Sequence, residues 1–138
     1  MDPNPCTPLY GTTHGKQFVG DSLRLIPLLE PGTVDLVITS PPFPLLLQKA
    51  YGNVDQAHYL NWWDPFARAI WRVLKPAGSL VLDMGGAYQK GLPIRSLHPW
   101  RLLLHMCDTL GYSLAEEFYW HNPAKLPSPT EWVARRKI

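Results

Sequence analysis

The stretch Thr39-Ser40-Pro41-Pro42-Phe43, which we call the proline corner, combines a hydroxyl, backbone carbonyls and an aromatic ring directly after a short apolar run. Because proline has no amide hydrogen to donate to a sheet, the strand predicted before Pro41 must end there. Ser40 and the Pro41 carbonyl could accept hydrogen bonds from an exocyclic amine, and Phe43 could stack on an extruded nucleobase. A plain proline turn at a strand end is the alternative explanation of the same residues.

Two further groups follow predicted strands, at the edge where open α/β sheets bind their ligands. Asp21, with Ser22 after it, could accept a hydrogen bond from a ligand's amino group, and a helix N-cap is the alternative. The aromatic segment Phe118-Tyr119-Trp120-His121-Asn122-Pro123 could form one wall of a base pocket, and strand residues packed in a core are the alternative.

Residue spacing argues against several other kinds of site. The five histidines have no metal-ligand spacing, so we expect no metal, and no Gly-x-Gly-x-x-Gly or Walker loop is present. Cys107 lies in an apolar helical pattern and is predicted to be a reduced core thiol. Candidate phosphate contacts are Lys90 and Arg95 in a predicted loop, and Arg135 and Arg136 near the last residue. For the last two, a solvated chain end is an equal alternative.

Composition favours one folded domain in the cytoplasm. The chain has 138 residues, 46% of them hydrophobic, and six tryptophans. No apolar run reaches the roughly 18 residues that a membrane span needs. The first residues lack the basic and apolar regions of a signal peptide, so cytoplasm is the expected location. Residues 1–70 carry a net charge of −2 and residues 71–138 a net charge of +4, which weakly favours an anionic partner for the second half.

Apolar periodicity predicts strands alternating with helices, which is typical of an α/β fold with a mostly parallel sheet. Residues 34–39 are predicted to form a buried strand, because the run is β-branched, apolar and too short for a helix. The other predicted strands are 17–20, 79–84 and 112–121. Predicted helices begin at Asp21, span about 55–74 with a kink or break at Pro65, and run from about Pro99 to Gly111. Residues 1–15 are predicted to be a loose arm, and residues 16–138 the domain itself.

Several motifs together resemble the amino half of the permuted, β-class DNA cytosine-N4 methyltransferases of restriction–modification systems. They are Gly20-Asp21-Ser22-Leu23, the proline corner, residues 49–53, Leu74-Lys75-Pro76, residues 83–88, residues 118–123 and residues 125–129. The resemblance covers about residues 10–138. In that family a Ser-Pro-Pro corner is typical of cytosine enzymes, whereas Asp-Pro-Pro-Tyr is usual in adenine enzymes.

The resemblance implies a partial Rossmann-like fold that uses S-adenosylmethionine to methylate the exocyclic amine of a flipped cytosine in double-stranded DNA. It implies catalytic roles for Ser40, Pro41, Pro42 and Phe43, and cofactor contacts for Asp21 and Ser22. Tyr119, Trp120 and Asn122 match the motif that lines the base pocket. Methyl transfer in this family is a single in-line step in which the enzyme mainly places the reactants.

One departure from the family is the missing glycine-rich cofactor loop, which the permuted order places after this stretch together with the target-recognition region. We therefore expect a truncated or split chain that binds S-adenosylmethionine poorly and methylates nothing unless a complementing chain supplies that loop. Two strands would lack their usual neighbours and expose apolar edges. The alternatives are a non-catalytic DNA-binding relic of such an enzyme and an adenine-N6 methyltransferase.

Overall fold

The computed structural model describes residues 7–44, 54–86, 89 and 94–120. These residues belong to two compact units, one formed by Met1–Ser40 with Asn61–Asp83 and the other by Pro41–Leu60 with Met84–Ile138. The elements, in chain order, are β1 (Tyr10–Gly11), β2 (Lys16–Gln17), α1 (Ser22–Leu25), β3 (Val34–Thr39), α2 (Tyr59–Val73), β4 (Leu74–Leu82) and α3 (His98–Asp108). Within the described ranges, no helix is both long and apolar enough to cross a membrane.

The first unit is built around a parallel pair of strands, β3 and β4, as the sequence predicts for residues 34–39 and 79–84. Their register runs from Leu36 opposite Ser79 to Thr39 opposite Leu82. Residues 75–78 form an irregularity at the start of β4, where Gly78 passes close to β3. A Cβ at Gly78 would lie 2.8 Å from the Val34 carbonyl oxygen, so only glycine fits there without a shift of the backbone.

The prediction that β3 is buried on both faces is wrong. Leu36 and Ile38 are 51% and 69% exposed, and Val81, which pairs with Ile38, is also exposed. Val37 and Leu80, whose side chains point to the opposite face, are half-buried. The apolar composition of β3 indicated cover on both faces, but the described residues cover only one of them.

The start of the chain also differs from the prediction. Lys16–Gln17 pairs antiparallel with Tyr10–Gly11, so the predicted strand 17–20 is a short hairpin arm, and Phe18 and Val19 lie outside it. Residues 10 and 11 are therefore regular structure inside the predicted loose arm. The local turn explains the pairing, because Thr12 N donates to the Gly15 carbonyl at 2.8 Å and brings the two segments together.

Helix α2 is shorter than predicted at its start and continuous through Pro65. It spans Tyr59–Val73 and begins after a turn in which Asp55 Oδ1 accepts bonds from the backbone N–H groups of Ala57 and His58. Of the predicted kink or break at Pro65, the break is wrong, because one helix runs through this residue. Its buried side chains recur at helical spacing: Tyr59, Trp63, Ala67, Ile70 and Val73.

The second unit contains α3, which confirms the predicted helix from Pro99 to Gly111. Pro99 lies in the first turn of α3. Gly111, with a φ of +82°, follows the end of the helix at Asp108. The predicted strand 112–121 is wrong for its described part, because residues 111–120 have no regular structure. A strand requires hydrogen bonds to a neighbouring strand, and none of the described strands pairs with this segment.

Candidate functional site

The carboxyl ends of β3 and β4 bring Ser40 and Asp83 together. Asp83 N donates to the Thr39 carbonyl at 2.9 Å, which extends the parallel ladder by one bond beyond β4. The Ser40 hydroxyl donates to Asp83 Oδ2 at 3.3 Å, and both side chains are exposed. The sheet edge predicted for the proline corner is therefore confirmed, and it carries a carboxylate that the sequence analysis did not assign to the site.

The direction of the Ser40 hydrogen bond decides what its oxygen can do next. A hydroxyl has one hydrogen and two lone pairs, and an ionised carboxylate only accepts. Because the hydrogen of Ser40 is directed at Asp83, the lone pairs of Oγ are left to accept bonds from a donor such as an amine. The signal that could have found Asp83 is its position directly after a predicted strand parallel to the one that precedes Ser40.

The rest of the proline corner lies in the second unit, where it is packed closely. Pro41 and Pro44 are buried, and Pro42 and Phe43 are half-buried. The Phe43 ring lies against Gly85, where a Cβ would come within 2.6 Å of the ring atom Cδ2. At Gly86 the corresponding space is taken by the guanidinium group of Arg95. Gly85 is therefore needed for the close approach of the Phe43 ring, whereas the flexible end of the Arg95 side chain can move away from position 86.

A hydrogen-bonded chain lies next to Pro44. The Ser96 hydroxyl donates to Gln56 Oε1 at 2.6 Å, and Gln56 Nε2 donates to the Pro44 carbonyl at 3.4 Å. The backbone N–H of His98 donates to the Ser96 oxygen at 3.3 Å. This series of hydrogen bonds connects the segment after Phe43 to the start of α3.

Tyr59 and His98 are buried side chains next to this series of hydrogen bonds. Their rings meet edge to face with centroids 6.1 Å apart. The Tyr59 hydroxyl donates to Met84 Sδ at 3.9 Å, and burial raises its pKa to about 12. Burial lowers the pKa of the His98 side chain, whose ring nitrogens have no hydrogen-bond partner among the described residues. Burial therefore favours the neutral form of the His98 ring.

The structure confirms the N-cap alternative for Asp21. Its Oδ1 accepts from Leu23 N at 2.9 Å and caps the four-residue helix α1, while Ser22 is the first helical residue. Both residues are exposed. One carboxylate oxygen is used in the cap, and the other has no hydrogen-bond partner within the described ranges. The free oxygen is an acceptor for the exocyclic amine of an adenine ring, so the residues present are compatible with the adenosine end of S-adenosylmethionine.

The residues predicted for the base pocket do not form a wall in the described part of the chain. Tyr119 and Trp120 are 82% and 86% exposed. The Tyr119 hydroxyl donates to Glu117 Oε1 at 2.7 Å, and this bond raises the pKa of Tyr119. The core alternative for this segment is wrong as well. Asn122 lies outside the described residues.

The candidate phosphate contacts are mostly outside the structure that is described. Arg95 is exposed, with its guanidinium group next to Gly86. Lys90, Arg135 and Arg136 fall outside the described residues. No group of three or more histidine, cysteine, aspartate or glutamate side chains lies together in a metal-binding arrangement anywhere in the described ranges.

Comparison with known proteins identifies the relatives of this chain. A family model described as DNA methylase matches residues 34–137. The type II methyltransferase M.PvuII of Proteus hauseri is 50% identical over 131 residues, which is 95% of this chain and 39% of that protein. M.HpaI of Haemophilus parainfluenzae is 33% identical over 107 residues, which is 67% of this chain and 33% of that protein.

A solved structure supports the same assignment at the level of the fold. The PvuII DNA methyltransferase, described as cytosine-N4-specific, superposes with a TM-score of 0.80 over 95% of this chain and 46% of its own chain. This likeness confirms the partial α/β, Rossmann-like fold predicted from the sequence. The chain thus spans less than half the length of these relatives. Because the family model matches well over half of the chain, the protein belongs to the DNA methylase family.

Proposed function

We propose that this chain carries the catalytic corner of a cytosine-N4 DNA methyltransferase. The reaction would move a methyl group from S-adenosylmethionine to the exocyclic amine of a cytosine extruded from duplex DNA. Family membership and the similarity to M.PvuII support the class of reaction. The observation that carries the proposal is the hydrogen bond from Ser40 to Asp83 at the carboxyl end of two parallel strands.

In this proposal Ser40 and Asp83 act together on the amine. The nitrogen of a cytosine amine is a weak nucleophile because its lone pair is conjugated with the ring. Ser40 Oγ and the Pro41 carbonyl accept hydrogen bonds from the two N–H groups of the amine. These bonds orient the nitrogen lone pair towards the methyl group. Once the nitrogen holds the methyl group it carries one proton too many, and Ser40 Oγ would accept that proton. The hydroxyl proton of Ser40 moves to Asp83 Oδ2 in the same event, so that no charge is left on the nitrogen.

Phe43 has a different role, which is to hold the plane of the base. An extruded cytosine loses its stacking neighbours, and an aromatic ring at the site replaces part of that energy. The ring of Phe43 is half-buried and is backed by Gly85, so it offers a fixed face. Pro42 restricts the backbone between Ser40 and Phe43, because its ring fixes φ.

S-adenosylmethionine supplies the methyl group as an electrophilic sulfonium when it is bound. Asp21 would accept a bond from the amine of its adenine through the carboxylate oxygen that is not used in the cap, and Ser22 would lie beside it. Tyr119, Trp120 and Asn122 remain proposed contacts of the base. Lys90, Arg95, Arg135 and Arg136 remain proposed contacts of DNA phosphates. A second chain that completes the cofactor site, and a cytoplasmic location, also remain proposals.

A chimera tests the proposed function. The chain is joined to the part of M.PvuII that it does not cover, and transfer of a labelled methyl group to duplex DNA is measured. We expect N4-methylcytosine among the hydrolysed nucleosides. Ser40→Ala and Phe43→Ala should abolish methyl transfer but retain most of the salt-dependent DNA binding. Ser79→Ala, which removes an exposed hydroxyl from β4, is the matched control and should remain active.

Each alternative function predicts a different result in the same assay. N6-methyladenine in place of N4-methylcytosine would assign the corner to an adenine enzyme. DNA binding without any methyl transfer would favour the non-catalytic relic. Full activity of both Ser40→Ala and Phe43→Ala would contradict the roles given to the proline corner.

A further inference from the structure

We propose that Gln56 and Ser96 are positioning residues that set the orientation of Phe43 from behind the proline corner. The inference rests on the proposed function, because it assigns to these residues the placement of the ring on which the base stacks. Neither residue belongs to a motif recognised in the sequence. Both act through Pro44, the residue that directly follows Phe43.

The first step is the completeness of the hydrogen-bonded chain. Gln56 uses its carbonyl oxygen to accept from Ser96 and its amide nitrogen to donate to Pro44. The Ser96 oxygen also accepts from the backbone N–H of His98. Ser96 is only 4% exposed, Pro44 is fully buried and Gln56 is half-buried, so these bonds are partly shielded from water.

The second step is the small number of free torsions in the segment. Three of the four residues 41–44 are prolines, whose rings fix φ. The backbone of Phe43 is restricted as well, because this residue precedes Pro44. The side-chain torsions of Phe43 are therefore the main freedom left in the segment, and its ring meets Gly85. By bonding to the Pro44 carbonyl, Gln56 holds the backbone from which the Phe43 ring projects.

The third step separates positioning from simple stabilisation. A buried polar pair can be replaced by apolar groups of the same shape at little cost in stability. Stability alone would therefore be served by Met at position 56 and Ala at position 96. An amide that is aimed at a particular carbonyl is explained by a need to fix the direction of the neighbouring ring.

Two substitutions at Gln56 in the M.PvuII chimera test the inference. Gln56→Glu keeps an oxygen that can accept from Ser96 but removes the donor to Pro44, whereas Gln56→Met removes both. We expect both to lower kcat by about three- to tenfold, the factor that a net hydrogen bond provides, with an unchanged KM for S-adenosylmethionine. Ser96→Ala should show a decrease in the same direction. Gln89→Met, an amide-to-thioether change at an exposed position, is the matched control.

A second readout reports the stacking itself. Duplex DNA with 2-aminopurine at the target position becomes fluorescent when the base is extruded, and stacking on Phe43 quenches it. The Gln56 variants should bind this duplex as tightly as the parent chimera but show weaker quenching. A purely structural role would lower the melting temperature without changing the quenching of the protein that remains folded.

The possible outcomes keep the inference apart from the proposed function. An active parent whose Gln56→Glu variant retains full kcat and full quenching overturns the inference and leaves the proposed function intact. Loss confined to Gln56→Met also overturns it, because the bond to Ser96 alone would then matter. A parent chimera without methyl transfer, under conditions in which M.PvuII is active, overturns both.

Discussion

At the scale of single residues, the carboxylate of Asp83 gives the proline corner its reactivity in the proposed mechanism. The bond from Ser40 to Asp83 is between two side chains 43 residues apart. A serine without that partner could direct its hydrogen anywhere, and its oxygen would have no fixed set of free lone pairs. The proposed site therefore needs residues at the ends of two strands, and not the proline corner alone.

Replacing Asp83 with Asn tests this role. The amide oxygen can still accept from Ser40, so the geometry is preserved, but the group no longer takes up a proton. We expect kcat of the chimera to fall by about 100-fold or more, which is the usual range for loss of a general base. The matched Asp108→Asn variant removes an exposed carboxylate at the end of α3 and should retain activity. Equal rates for Asp83→Asn and the parent would contradict the proton transfer.

His98 predicts a pH dependence of stability. Burial lowers its pKa in the folded state from the ordinary value of 6.5, so the unfolded chain binds a proton first as the pH falls. Stability should therefore decrease as the pH falls below about 7, and continue to decrease until the lowered pKa of the folded state is reached. Urea unfolding at a series of pH values measures the slope.

A variant without the imidazole isolates this effect. His98→Leu should remove the loss of stability in that pH range, because no group at position 98 then binds a proton. His14→Gln removes an exposed histidine and should leave the slope unchanged. An unaltered slope in His98→Leu would assign the pH dependence to other groups.

At the scale of elements, local patterns predicted most of the structure. The helical spacing of Tyr59, Trp63 and Ile70 indicated α2, and Pro99 with Gly111 marked the ends of α3. Strand β3 was evident from its composition. These features depend on interactions between residues near each other in sequence, or on burial alone.

Features that depend on distant partners were not predictable in the same way. The segment of Tyr119 and Trp120 has the composition of a strand, but a strand also needs a neighbour, and composition cannot supply one. The bond from Ser40 to Asp83 requires the register of β3 against β4, and the closeness of Gly85 to Phe43 is a tertiary contact. The sequence therefore placed Ser40 at the carboxyl end of β3, but it did not predict the bond to Asp83.

In the proposed function Asp21 both caps a helix and contacts the cofactor, and one substitution separates the two roles. Asp21→Asn keeps an oxygen for Leu23 N and should retain the stability of the chain, while loss of the carboxylate should weaken binding of S-adenosylmethionine to the chimera. Asp21→Ala should lose both the helix cap and the cofactor contact, and loss of the cap should lower the free energy of unfolding by about 1 kcal/mol. Calorimetric titration and urea unfolding measure the two effects. Unchanged cofactor affinity in Asp21→Asn would remove this residue from the proposed site.

At the scale of the whole molecule, the described residues expose an unusual amount of apolar surface. It is concentrated on one face of the β3–β4 pair, along the outside of α3 and in the aromatic segment. The side chains are Leu36, Ile38, Val81, Leu97, Trp100, Leu104, Phe118, Tyr119 and Trp120. Exposed apolar side chains of this kind bind dyes and promote association in water.

A polar substitution on the open face of the sheet should reduce that behaviour. Ile38→Thr keeps a β-branched side chain, so the free energy of unfolding should change by less than about 0.5 kcal/mol, while binding of anilinonaphthalene sulfonate and self-association should decrease. Leu80→Thr, on the half-buried opposite face, should instead destabilise the chain by about 1–3 kcal/mol. Fluorescence titration, light scattering and urea unfolding distinguish the two. Equal effects of both substitutions would show that the two faces are equally covered.

The contact between Gly85 and Phe43 limits how this corner can diverge. The aromatic ring occupies the volume that any side chain at position 85 would need, so the two positions are constrained as a pair although 42 residues separate them. Grafting the five residues of the proline corner into another parallel sheet would therefore transfer the sequence but not the orientation of the Phe43 ring. Successful transplantation has to carry the glycine that follows the adjacent strand as well.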